Sequence, residues 1–258
     1  MEHARRALEH IGRRMSRGQQ LVLFLDFDGT LAPIVRDPSK ARMAKRTHTL
    51  VERLARRVPL YIVTGRSLRD IRKRARIRGA RYAGNHGMEW SRGAATESVR
   101  VSSAAQKDVR DALRALRPLR RYRGVFIEDK KISVAFHYRG VSRREMPEVI
   151  QTAHRVLAPI LKRGRIEALQ QKKLLDVRPK GWHKGGFVRL VMRHMPKNSV
   201  AVYIGDDATD EDAFGALRAS EIGIRVGKRS SSRAGYYLSS QRAMDGFLLR
   251  LAAQIDDR

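Results

Sequence analysis

The sequence predicts an α/β fold: a parallel-sheet core with helices between its strands, interrupted by a smaller α+β insert. Three observations predict it. Four apolar runs of strand length lack the alternation of a half-exposed strand, which is the pattern of strands buried on both faces. Helical patterns lie between them, as in a βα repeat. Between about residues 103 and 179 the order of elements changes to α-β-β-α-β-β.

In chain order, residues 1–20 are charged and read as an amphipathic helix. The first apolar run is 21–25, and it stops at Asp26-Phe27-Asp28-Gly29-Thr30. A helical pattern at 47–56 leads to the second run, 58–63, which stops at Thr64-Gly65-Arg66. A helix at 67–75 precedes the third, 81–83, stopping at Gly84-Asn85-His86-Gly87. The insert then reads as a helix over 104–119 with an apolar stripe at Val109, Ala112, Leu113, Leu116 and Leu119. Strands at 124–128 and 132–138, a helix at 146–161, and strands at 165–169 and 173–177 complete it. These place a core at 1–102 and 180–258 and an insert at 103–179. A helix at 184–195, the fourth apolar run at 200–204 and a helix at 209–219 return the chain to the core.

Bulk composition bounds the function. With 258 residues the chain can bury a sizeable core, and it has no cysteine, so any metal must be held by oxygen or imidazole. No apolar run approaches the ~20 residues that span a bilayer, and residues 1–20 lack the apolar stretch of a signal peptide, so a soluble cytoplasmic protein with no membrane partner is expected. The net charge of +29 invites a nucleic-acid partner. Against it, the basic residues are spread along the whole chain, and aromatics, at 6%, leave little for base stacking.

Each polar string sits just after an apolar run, where open α/β sheets bind ligands, so the strings can converge. Asp26 and Asp28, on alternate positions with Gly29 to permit a turn, can aim two carboxylates at one spot. Two close carboxylates bind a hard cation, which keeps them ionised; one can attack phosphorus while the other handles the leaving-group proton. An isolated Asp-Gly would instead read as a hairpin turn. Gly205-Asp206-Asp207-Ala208-Thr209-Asp210-Glu211-Asp212 is a dense acidic patch in a basic chain. Asp206 is its best ligand candidate and Asp210 a second ligand or a support for one. Glu211 and Asp212 suit helix capping and the surface, and Thr209 or Asp210 suits an N-cap. Thr64, Gly65 and Arg66 offer a hydroxyl and backbone N–H groups for phosphate oxygens. Lys184, opening a helix beside two glycines, can offset charge on a transferring phosphoryl group. His86, Glu89 and His183 read as substrate contacts or packing residues.

Together these strings resemble the haloacid dehalogenase superfamily of phosphohydrolases, and more closely the trehalose-6-phosphate phosphatases. The superfamily marks are Asp26-Phe27-Asp28-Gly29-Thr30-Leu31, Thr64-Gly65-Arg66, Lys184 and Gly205-Asp206-Asp207. The narrower resemblance rests on Asn85-His86-Gly87-Met88-Glu89, on Glu128-Asp129-Lys130-Lys131 followed by His137-Tyr138-Arg139, on the 177–185 string, and on the 205–214 string. It implies a Rossmann-like core with a mobile cap that closes over the substrate. It also implies Mg²⁺ as cofactor and hydrolysis of trehalose 6-phosphate, the last step of trehalose synthesis, with a trehalose-6-phosphate synthase elsewhere in the pathway. Asp26 would be nucleophile and metal ligand. Asp28 would be general acid and then base, binding metal through its carbonyl. Thr64 and Lys184 would hold the phosphoryl group, Asp206 would bind the metal, and Asp210 would complete or support the site. Substrate contacts would come from Gly65, Arg66, Asn85 and His86 and, in the cap, from Glu128, Lys130, Asp176 and Arg178. Where the family commonly has Glu before Val-Arg-Pro, this chain has Asp176, one methylene shorter.

Two rival readings make different predictions. Another sugar phosphatase of the superfamily, acting on sucrose phosphate or a hexose phosphate, would differ in the cap. A basic nucleic-acid-binding protein would bind in a salt-sensitive way and be indifferent to Asp26→Asn.

Overall fold

The computed structural model describes the whole chain except Arg36, Ala94, Lys172 and Arg258. Its contacts divide the chain into two units, Met1–Ser98 with His183–Arg258, and Val99–Trp182. The limits of the second lie a few residues outside the expected 103–179.

The first unit begins with β1 (Glu2–His3) and α1 (Ala4–Ser16). β2 (Gln20–Leu25), α2 (Lys45–Ala55), β3 (Leu60–Val63), α3 (Leu68–Ala75) and β4 (Arg81–Gly84) follow. A hairpin of β5 (Glu89–Arg92) and β6 (Ala95–Ser98) closes this half. The second unit holds α4 (Ser103–Leu116), β7 (Phe126–Asp129), β8 (Val134–His137), α5 (Met146–Leu161), β9 (Ile166–Gln171) and β10 (Leu174–Pro179). The first unit resumes with α6 (Lys184–Arg193), β11 (Ser199–Gly205), α7 (Asp210–Phe214), β12 (Ile222–Val226), β13 (Tyr236–Leu238) and α8 (Met244–Asp256).

The strands of the first unit form one sheet in the order β1-β13-β12-β11-β2-β3-β4-β5-β6. It is parallel from β1 to β4, and β5 and β6 are antiparallel. Leu25 of β2 pairs with both Ile204 of β11 and Ile62 of β3, and Val63 pairs with Ala83 of β4. That shared register ends the four central strands on one edge, which brings their polar strings together. β2 and β11 carry no alternation because both faces are covered. One face packs Leu21, Leu23, Leu25, Val202 and Ile204 against apolar residues of α1, α2 and α8. On the other, Phe24 stacks on Tyr61 at 5.2 Å, and Tyr61 meets Phe187 of α6 edge-on at 5.9 Å.

The helix termini follow from single residues. Ser67 caps α3 by accepting from the N–H of Asp70, and α3 stops where Arg76 turns left-handed at φ 47°. The helix expected over 209–219 spans only Asp210–Phe214, and tighter turns follow it, with the N–H groups of Ala216 and Leu217 donating to the carbonyls of Ala213 and Phe214.

In the second unit, the four strands form an antiparallel sheet in the order β7-β8-β10-β9. α4 and α5 cover one face through Val109, Ala112, Leu116, Val149, Ala153 and Leu157, packed on Ile127, Phe136, Leu175 and Val177. Alternation then puts Glu128, His137, Glu167, Asp176 and Arg178 on the opposite face. Polar pairs tie them: Glu128 is hydrogen-bonded to His137 at 3.4 Å, and ion pairs join Lys130 to the buried Asp176 at 3.5 Å and Arg178 to Glu167 at 2.9 Å. Among the described residues no helix is long and apolar enough to cross a membrane.

Candidate functional site

The site grows from the ends of β2, β3, β4 and β11. The Asp26 N–H donates to the Ile204 carbonyl, so Asp26 still obeys the ladder. The chain then folds back: the Gly29 N–H donates to the Ala32 carbonyl at 2.7 Å, with Gly29 at φ 88°. This turn leaves the Asp26 side chain 6% exposed and that of Asp28 36% exposed.

Lys184, at the first turn of α6, is 2% exposed and bridges two carboxylates. Its Nζ lies 2.7 Å from Asp26 Oδ1 and 2.8 Å from Asp210 Oδ1. Asp210 is fully buried and accepts four hydrogen bonds. Lys184 and the Tyr203 hydroxyl (2.6 Å) donate to Oδ1, and the N–H groups of Asp206 and Asp207 (both 2.9 Å) donate to Oδ2. That uses the whole acceptor capacity of a carboxylate. Of the roles the sequence allowed, Asp210 is thus not the N-cap of α7; that position is Thr209, which makes no side-chain cap bond. The Asp207 carboxylate instead accepts from both the N–H and the hydroxyl of Thr209.

Asp206 leans against the turn after β2. Its Oδ1 accepts from the Thr30 hydroxyl at 3.3 Å, and a Cβ on Gly29 would lie 2.2 Å from its Oδ2. Gly29→Ala therefore has a definite consequence: the turn is strained at its positive φ and Asp206 is displaced. Such a displacement is expected to cost about 10²-fold or more in turnover. Phosphate-release assays on a variant with a wild-type far-UV spectrum check this.

Arg66 chelates Asp28 through both oxygens, Nε to Oδ2 at 2.6 Å and Nη2 to Oδ1 at 2.7 Å, and also reaches Asp70 at 2.8 Å. Thr64 is buried at the end of β3, and its Oγ1 accepts from the Arg66 N–H. His86 lies over Gly65, whose added Cβ would meet the imidazole at 2.8 Å. Asn85 is fully buried and donates to Glu89, which also accepts from the Leu68 N–H. Those two side chains brace the loop. Glu128, Lys130, Asp176 and Arg178 belong to the other unit, and the Asp176 carboxylate is buried there against Lys130.

The electrostatics favour a cation. Burial, together with Asp210, Asp206 and Asp207, pushes the Asp26 carboxyl well up, against the pull of Lys184. Burial, then Asp210 and Asp207, push Asp206 up to about 7. Burial opposes the charge of Lys184, but Asp210 and Asp26 outweigh it and hold the amine cationic. Four carboxylates thus face one lysine. Oxygens of Asp26, Asp206 and Asp210 come within 4.8 Å of one another. An all-oxygen set with excess negative charge fits a hard divalent cation.

Sequence reasoning missed three contributors. Tyr203 sits inside an apolar run and reads as core. Arg225, a lone arginine in the apolar stretch Ile222–Val226, bonds the acidic loop. Glu211, expected at the surface, pairs with Arg225 at 2.7 Å.

Solved structures place the fold. A haloacid dehalogenase-like hydrolase from Bacteroides thetaiotaomicron superposes with a TM-score of 0.65 over 93% of this chain and 99% of that one, at 14% identity. The C-terminal domain of a Candida albicans trehalose-6-phosphate phosphatase superposes with a TM-score of 0.80 over 95% and 96%, at 20% identity. The chain thus shares the fold of these structures, with its own acidic strings at the strand ends.

Sequence comparison narrows the class. The family described as Trehalose-phosphatase matches residues 24–242, and the chain belongs to it. Trehalose-phosphate phosphatase B of Arabidopsis thaliana is 34% identical over 254 residues, covering 92% of this chain and 67% of that protein. The chain spans about two thirds of the length of the curated relatives it matches.

Proposed function

We propose that the protein hydrolyses trehalose 6-phosphate to trehalose and inorganic phosphate, with Mg²⁺ and with Asp26 as nucleophile. The observation that carries the mechanism is the Asp26–Lys184–Asp210 bridge beside Asp206. It holds the Asp26 carboxyl buried and oriented, with a cationic amine against it. The family match supplies the substrate class.

Asp26 attacks phosphorus, and the bond to the sugar oxygen breaks. Asp28 donates the proton that this oxygen takes. To do so it must turn from Arg66, which occupies both its oxygens in the resting structure. The product on the enzyme is an aspartyl phosphate. Asp28, now a carboxylate, takes a proton from water, which attacks that phosphorus and frees Asp26 and phosphate. Lys184 and the Thr64 hydroxyl stabilise charge on the transferring oxygens. Asp26, Asp206 and the Asp28 carbonyl would hold the cation and Asp210 would support them; when bound, it neutralises the carboxylates and the phosphoryl oxygens. In the same reading Gly65, Arg66 and His86 serve phosphate binding. Glu128 and Lys130 bind sugar hydroxyls, with Asp176 and Arg178 setting their polar surroundings. A cytoplasmic enzyme acting after a trehalose-6-phosphate synthase completes the proposal.

Phosphate release from trehalose 6-phosphate, sucrose 6-phosphate and glucose 6-phosphate, with Mg²⁺ and with EDTA, tests it. A preference for trehalose 6-phosphate that EDTA abolishes is expected. Preference for another sugar would contradict the assigned substrate, and EDTA-insensitive turnover would contradict the cation.

A further inference from the structure

Arg225 lies on β12 beside the last residue of β11, in register with Gly205, and is 7% exposed. A charge buried in a sheet is costly unless it is paired and hydrogen-bonded. Its partners all belong to the acidic loop. Nη1 donates to the Asp207 carbonyl at 3.1 Å and to Glu211 Oε1 at 2.7 Å, and Nη2 donates to the Asp206 carbonyl. The other oxygen of Glu211 accepts from the Arg233 N–H at 2.8 Å, which anchors the far side of the clamp.

The same two residues are held from the opposite direction. Asp210 takes the N–H groups of Asp206 and Asp207, while Arg225 takes their carbonyls. The Asp206 carbonyl and the Asp207 N–H are the two ends of one rigid peptide plane, which is thereby held from both sides, and with it the direction in which the Asp206 carboxylate leaves the backbone. That carboxylate has almost no latitude on its other side, where Thr30 bonds it and Gly29 leaves room only for hydrogen. Asp210 alone would hold that plane from one side only and would leave the next one, which carries the Asp207 carbonyl, unheld.

We propose that Arg225 is a positioning residue for the divalent cation: it fixes the backbone of the acidic loop so that Asp206 points at Asp26. The proposal rests on the cation reading above. It asks for the planar fork of arginine, since two carbonyls and a carboxylate are bonded at once; a lysine in its place keeps the charge but not the geometry.

Mn²⁺ is the probe. Its binding to the full chain is measured by electron paramagnetic resonance for the wild type, Arg225→Lys and Arg225→Met, with folding checked by circular dichroism in EDTA. The wild type is expected to bind one Mn²⁺ per chain. Arg225→Met is expected to bind about 10- to 100-fold more weakly, the usual effect of losing an outer support of a metal ligand. Arg225→Lys is expected to be weakened as well, with KM for the sugar phosphate unchanged at saturating cation. Wild-type affinity in a folded Arg225→Met, whatever its melting temperature, would overturn the proposal. If Arg225→Met does not fold, wild-type affinity in Arg225→Lys overturns it instead. Failure of the wild type itself to bind Mn²⁺ would overturn the cation reading and, with it, this one.

Discussion

Asp26→Asn is expected to remove phosphate release while leaving the fold intact. The amide matches the carboxylate in shape, so the turn at 26–32 and the packing of Phe27 are unchanged. What is lost is the attacking oxygen and a negative charge. Loss of a nucleophile in a unit that acts together costs roughly 10⁴-fold or more in kcat. The substitution leaves Lys184 with Asp210 as its remaining carboxylate partner, and Asp210 still holds it at 2.8 Å. The melting temperature should therefore fall only modestly, and circular dichroism should match the wild type. Substantial turnover by a clean preparation of this variant would remove Asp26 from the chemistry.

Lys184→Met is expected to damage both activity and stability. Methionine fills nearly the same volume, so packing is preserved and the effect is electrostatic. Asp26 and Asp210, each bonded to Lys184 within 2.8 Å, would be left buried with no cation between them. Removing one partner of a buried ion pair costs about 3–5 kcal/mol. The loss should depend on pH in a definite direction. Asp26 is already pushed well above the usual carboxylate range by burial, with Lys184 opposing. Without the lysine it moves further up. A carboxyl raised in the folded state favours folding below its unfolded value and loses that stability as pH rises through the folded one. In EDTA the gap in melting temperature between the variant and the wild type should therefore widen as pH rises above the ordinary carboxylate range. Lys184 itself adds no pH dependence in that range, because its raised value keeps it charged throughout. A gap that narrows as pH rises would contradict this electrostatic account.

The core of the site was legible because its residues end apolar runs. A buried parallel strand writes itself as an unbroken apolar string, and the ladder forces the residue after it to the sheet edge. Asp26, Thr64, Asn85 and Asp206 all declare themselves in that way, and so does the order of elements in the insert. Other elements were harder to see. β12 is apolar apart from Arg225, β13 has three residues, and neither carries a motif at its end. The hairpin of β5 and β6 is polar and half exposed, so its strands lack a hydrophobic signature.

Side-chain roles within the site were legible only in part. Asp210 is compatible by sequence with a helix cap, and only burial against Lys184 and Tyr203 shows it as the strut of the acidic loop. Tyr203 gives no signal at all, since an aromatic in an apolar strand is the ordinary core residue. Arg225 did leave one: an arginine inside Ile222–Val226 must be bonded to something, and the nearest surplus of acceptors is the acidic loop. Asp176, one methylene shorter than its usual counterpart, is fully buried against Lys130.

The central claim is that the phosphoryl group passes through Asp26. The direct measurement is an acid quench during steady-state turnover of trehalose 6-phosphate, followed by borohydride reduction and peptide mass analysis. An acyl phosphate on Asp26 would be reduced to homoserine at that position, and this is the predicted result. Turnover with Asp26 unmodified and another side chain reduced would contradict the account, and turnover with no reducible residue would contradict the covalent mechanism itself.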